Sequence, residues 1–138
     1  MADDDGEIRS LLARLAQLAD SGDLDEYLEL LTDDIAWVVP AIPQTGVAAS
    51  ERRGRDEVAA GVRERRAAGI QGPGSHTMHL VTTIAVDIVK DEAVADSTWL
   101  FLADTASAPR VQAAGRYRDT MRRTKNGWRL ARREISAG

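Results

Sequence analysis

The sequence predicts an α+β domain in which N-terminal helices pack on one face of a strongly curved antiparallel sheet. Three observations carry that expectation. Apolar residues in the N-terminal part recur at helical spacing, whereas from Thr77 onward the chain becomes strand-rich, with long alternating runs. Short turn clusters separate those runs, the clearest being the hairpin signal Lys125-Asn126-Gly127. The resulting order, ααβαββββ, places helices first and antiparallel strands after, as a two-layer α+β fold requires.

The elements follow in order. Asp4-Asp5-Gly6-Glu7 fits a capping box with Asp4 as the cap. Ile8, Leu11, Leu12, Leu15, Leu18 and Ala19 then stripe an amphipathic helix that ends at Asp20-Ser21-Gly22, with Gly22 suited to a left-handed cap. Asp23 and Glu26 cap a second helix striped by Leu24, Leu28 and Leu31. Thr32-Asp33-Asp34 turns the chain into a short strand, Ile35–Val39, with Ile35, Trp37 and Val39 on one face. Pro40–Arg53 reads as a long loop, a length that often marks a functional lid. Gly54 opens a third helix through about Ala68, with Val58 and Val62 as its thin stripe, and Gly72-Pro73-Gly74 follows it. Strands are expected over 77–89, 93–103, 111–124 and 128–135.

At 138 residues this is one domain, 1–138, able to bury roughly two-thirds of its unfolded surface. The chain has no cysteine, which excludes disulfides, thiolate zinc sites and cysteine nucleophiles. Two histidines leave only a mixed His/carboxylate metal site conceivable, so no metal is expected. No apolar run approaches the roughly 20 residues that span a bilayer, and the acidic MADDDGEI start is unlike a signal peptide, so the expected location is the cytoplasm. Net charge is −4, but half of the Lys and Arg lie between Arg110 and Arg133. These arginines alternate along strands, as a solvated sheet face requires, and aromatics are only 4%, so nucleic acid is not the expected partner. No glycine-rich phosphate loop or dinucleotide fingerprint is present, and no cofactor is expected.

Read together, DSGDLDEY between the first helices, LLTDDIAWVVP, GRDEVAAG, the Thr77-Met78-His79 strand and GRYRDTMRRTKNGWRLARREI resemble the SnoaL-like family of the nuclear transport factor 2-like superfamily. The resemblance implies a cone-shaped α+β barrel, an apolar pocket inside the curved sheet, and a homodimer through the sheet's outer face. It implies a hydrophobic small-molecule ligand of steroid or polyketide type, and a lyase or isomerase, with non-catalytic binding or dimerising modules as the alternative. It also pairs Asp20, at the break between the first two helices, with His79 on the long strand. This chain departs from dehydratase-like members in two ways. Ala19 and Leu15 stand where a tyrosine precedes the aspartate, and no histidine follows residue 79.

A carboxylate against an imidazole fixes which ring nitrogen carries the proton and suits the ring to general acid–base work near neutral pH. Read without the resemblance, Asp20 before Ser21-Gly22 is equally a turn aspartate, and His79 among apolar neighbours is equally a core histidine. His76, beside the Gly-Pro-Gly turn, reads as solvated. If His79 faces the pocket, strand parity puts Val81 and Thr83 beside it. On the later strand Tyr117 and Asp119 share the inward face, because the alternate set Arg116, Arg118 and Arg122 must be solvated. An inward Asp119 needs a partner, and an ion pair with Arg123 or another arginine is favoured over a second acid/base role. Trp37 and Trp99 are pocket-wall candidates for which core packing is the default reading, and Trp128 reads as structural.

Overall fold

The computed structural model describes residues 3–41 and 48–138. Helices α1 (Asp4–Ser21) and α2 (Leu24–Glu29) lead into strands β1 (Leu31–Val39) and β2 (Ser50–Arg53). Helix α3 (Gly54–Ala67) precedes four long strands: β3 (Met78–Val89), β4 (Glu92–Ala103), β5 (Arg110–Thr124) and β6 (Gly127–Ala137). They form one six-stranded sheet in the order β2-β1-β6-β5-β4-β3. The sheet is α+β in class but neither wholly antiparallel nor closed. β1 runs parallel to β6, and β2 and β3 are the two edges.

The first turn of α1 carries Asp4, Asp5 and Glu7, charges that favour a helix N-terminus. Its cap is Asp3, whose side chain accepts from the Gly6 N–H, one residue earlier than the sequence pattern suggests. Asp4 is thereby free to take bonds from Arg123 and from the Trp128 indole. Ile8, Leu11, Leu12 and Leu15 are buried against β3 and β6, in a core completed by Leu31, Ile35, Val58, Val62, Met121, Trp128 and Leu130. Gly22 is extended (φ −103°, ψ 179°), not left-handed. Its glycine identity reflects close approach, since a Cβ there would lie 2.8 Å from Leu18 Cα.

Two boundaries differ from the sequence expectation. Thr32, Asp33 and Asp34 do not form a turn; the strand already begins at Leu31, which registers with Leu130 of β6. Asp33 and Asp34 pair with Arg55 and Arg122. Residues 50–53, expected as loop, form β2 against β1, and the remainder of the expected lid falls largely on residues 42–47, outside the described residues.

The outer face of the sheet divides in two. At one end Met78, Leu102 and Val111 line up across three strands, followed by Leu80 and Leu100. At the other, the arginines sit among carboxylates: Arg118 pairs with Asp96, Arg122 with Asp34 and Arg132 with Glu134. Among the described residues no helix is long and apolar enough to cross a membrane.

Candidate functional site

The concave face of the sheet and helices α1–α3 enclose a cavity of about 370 Å³, within the range of small-ligand sites. Its wall is aromatic and aliphatic: Tyr27, Trp37, Trp99, Phe101, Tyr117, Val62, Val81 and Ile135. Its polar groups are few, chiefly His79, Arg133 and Arg65.

Asp20 and His79 meet at the edge of this cavity. The His79 Nδ1–H lies 2.6 Å from Asp20 Oδ1, and the His79 backbone N–H donates to Asp20 Oδ2 at 2.9 Å. Both oxygens of one carboxylate therefore grip one residue, which fixes ring orientation and tautomer together. The two side chains are only 16% and 14% exposed, so little water competes for these bonds. His79 borders both the cavity and a groove behind it, while Asp20 borders the groove alone. Asp20 takes Nδ1, and Nε2 makes no hydrogen bond among the described residues. Phe101, at 4.8 Å between ring centroids, supports the imidazole from the side.

Helical and strand repeats explain how Asp20 reaches its place. α1 lies along the unpaired edge of β3, with Arg9 donating to Ile84 O near one end and Asp20 accepting from His79 at the other. Eleven residues of helix and five of strand both span about 16 Å, so the two anchors are in step. Edge-strand groups that would otherwise be open to pairing are covered by the helix's own side chains.

The cavity floor holds an ion pair. Arg133 Nε and Nη2 donate to the two oxygens of Asp119 at 2.8 and 3.0 Å, and both side chains are buried. Burial pushes the Asp119 carboxyl up, against the pull of the guanidinium. Burial likewise works against the charge on Arg133, but the Asp119 carboxylate, which also accepts two hydrogen bonds from it, outweighs this and holds the guanidinium cationic. Arg133 also stacks 3.8 Å above the Tyr117 ring and 5.3 Å from Trp37, so one guanidinium organises two pocket walls. Burial pushes the Tyr27 phenol up to about 12 and raises Tyr117 too, leaving both hydroxyls protonated donors across the working pH range.

The structure therefore brings His79, Trp37, Trp99 and Tyr117 to one cavity, with Asp20 behind His79. Asp119 is on the inward face but does not line the cavity; it is consumed by Arg133, rather than by Arg123. Thr83 is not a pocket residue. A bulge between Thr82 and Ala85 reverses the strand's parity, and Thr83, at φ 49°, faces outward with its hydroxyl on Thr98. Its place on the inner face is taken by Ile84. His76 is exposed, and Trp128 is buried in the core with its indole N–H on Asp4.

Arg133, Tyr27 and Arg65 are cavity residues that sequence reasoning missed. The parity set by Trp128 and Leu130 predicts Arg132 inside, but the register shifts around Ala131 and turns Arg133 inward instead. Tyr27, three residues after Leu24, carried the helical spacing that could have revealed it.

The model of the SnoaL-like domain matches residues 1–134. An NTF2-like protein with a cystatin-like fold from Novosphingobium aromaticivorans is 30% identical, with 97% of this chain and 81% of that one aligned at a TM-score of 0.79. A protein of unknown function with a cystatin-like fold from Nostoc punctiforme is 20% identical over 100% of this chain and 93% of that one, at a TM-score of 0.81. A protein from Streptomyces avermitilis, provisionally named a dehydratase of the NTF2-like family, is 17% identical over 98% and 96%, at a TM-score of 0.76. The last two likenesses speak for the fold alone. No curated protein matches the chain at a significant level.

Proposed function

Because the chain belongs to the SnoaL-like domain family, we propose that it is a cofactor-independent lyase or isomerase, dehydratase-like in its chemistry. It acts by general acid–base catalysis on a hydrophobic, steroid- or polyketide-like small molecule bound in the cavity. The observation that carries this reading is the two-point grip of Asp20 on His79, a residue that lines an apolar cavity and whose Nε2 has no hydrogen-bond partner among the described residues. A core histidine has both ring nitrogens paired; a base needs a fixed tautomer and a nitrogen left free for its substrate.

In the proposed reaction Nε2 takes a proton alpha to a carbonyl, and the charge that develops is met by donors already in the wall. The Tyr27 and Tyr117 hydroxyls are neutral donors, and Arg133 keeps a guanidinium charge at the cavity floor. The imidazolium then returns its proton to a leaving hydroxyl, giving elimination, or to a neighbouring carbon, giving double-bond migration. Trp37 and Trp99 form the apolar wall.

The test is proton washout. A fused-ring ketone such as 2-tetralone, incubated with the protein in D₂O, should lose its α-protons at a rate that falls about 10²–10⁴-fold in His79→Ala. Binding of the ketone without washout would favour the alternative, a small-ligand-binding or partner module of the same fold. The proposal includes a homodimer through the outer sheet face, where Met78, Leu80 and Val111 are 40%, 44% and 57% exposed. Sedimentation of the wild type and of Leu80→Glu tests it, a monomeric wild type being the contrary result.

A further inference from the structure

α1 ends without a cation of its own. No Lys or Arg occupies its last turn, and the extended Gly22 closes it with only one backbone bond, from its N–H to Leu18 O. The last carbonyls of a helix need donors, and the negative end of its dipole favours a positive one. Here the donor comes from another helix. Arg66, near the end of α3, places Nη2 at 3.0 Å from Leu18 O, 3.2 Å from Ala19 O and 3.1 Å from Gly22 O. Those three carbonyls bracket Asp20.

The arginine is itself held from behind. Gly72 (φ +95°) passes so close that a Cβ there would lie 2.7 Å from Arg66 Cγ and 3.0 Å from its Nε. A side chain at that position would push the guanidinium off the helix end. Ile70 and Gln71, in the same segment, line the cavity. One residue thus ties the end of α1, the start of α2 and the cavity border together.

We propose that Arg66 is a positioning residue for the Asp20–His79 pair: by capping the end of α1 from α3, it holds the Asp20 carboxylate against both the Nδ1 and the backbone N–H of His79. The inference rests on reading that pair as the working centre of the cavity. Its mechanism is geometric. Asp20 lies where α1 breaks, and a frayed last turn would swing its carboxylate away from the β3 edge.

The His79 amide gives a local readout, because its hydrogen bond goes to Asp20 and not to a neighbouring strand. Amide hydrogen exchange followed by NMR on the full chain should show the His79 amide exchanging about tenfold faster in Arg66→Gln, with the amides of the β4–β5 ladder unchanged. Arg66→Lys keeps the charge but not the fork, and should give a smaller rise, again confined to His79. In the washout assay Arg66→Gln should lower turnover more than ketone binding. An unchanged His79 amide, or a rise shared by the β4–β5 amides, overturns the proposal, since the second pattern marks a residue of general stability. If Arg66→Gln does not fold, Arg66→Lys decides by the same criterion. A wild type that binds ketone but exchanges no α-protons would sink the acid–base reading and leave this amide measurement intact.

Discussion

Two carboxylates are paired at one cavity, Asp119 with an arginine and Asp20 with a histidine, and the pairs are built in opposite ways. Asp119 and Arg133 sit directly across from one another on β5 and β6, so strand register alone sets their bidentate contact, and both are sealed from water. Asp20 and His79 come from a helix end and a sheet edge fifty-nine residues apart, and the groove behind them leaves the pair part-exposed. The first pair is a component of the fold that also shapes the pocket. The second depends on the fold for its placement. A buried pair broken on one side strands a charge in low dielectric, whereas a part-exposed pair can recruit water.

The largest expected effect is therefore at the floor. Asp119→Ala should destabilise by about 3–5 kcal/mol in urea denaturation, because Arg133 is left buried and uncompensated. A loss under about 1 kcal/mol would erase the distinction between the pairs. His79→Ala sharpens it from the other side, with turnover down at least about 100-fold while ketone binding and the urea midpoint stay near wild type. Asp20→Asn should fall between these, since an amide can keep one of the two bonds to His79 but not both in the same sense; a stability cost of about 1 kcal/mol and a clear loss of washout are expected.

The smallest effect belongs to an exposed cluster. Hydrogen bonds from Arg123 and from the Trp128 indole hold the Asp4 carboxyl down at about 2, from an ordinary 3.8. A carboxyl lowered in the folded state contributes stability above its unfolded pKa and loses it as the pH falls through the folded one. Wild type should thus lose this contribution between pH 3.8 and about 2, and Asp4→Asn should lack that part of the acid transition. Thermal melts of the two proteins across that window make the comparison.

What was legible in the sequence follows from which signals are local. Helices α1 and α3 announced themselves through Ile8, Leu11, Leu12 and Leu15 and through Val58 and Val62, all buried as their spacing requires. The inward face of β5 was legible because Arg116, Arg118 and Arg122 had to be outside, which put Tyr117 and Asp119 inside. Parity failed where a bulge inserts one residue, at Thr82–Ala85 and around Ala131. The first brought Thr83 into the expected pocket, and the second turns Arg133 inward where simple alternation from Trp128 and Leu130 would face it out. The parallel pairing of β1 with β6 is non-local and left no signal in either strand. The Asp20–His79 contact was legible through a family resemblance, since nothing in the spacing of two residues so far apart predicts that they touch.

The central claim is that Asp20 fixes the tautomer of His79 so that Nε2 faces the ligand as an acceptor. The ¹⁵N chemical shifts of the two ring nitrogens test it most directly, in the wild type and in Asp20→Asn, with His76→Gln to assign the signals. The account predicts a neutral ring protonated at Nδ1, with an unprotonated Nε2 whose shift moves when a fused-ring ketone is added, and a mixture of tautomers in Asp20→Asn. A ring protonated at Nε2, or an Nε2 indifferent to the ketone, would contradict it.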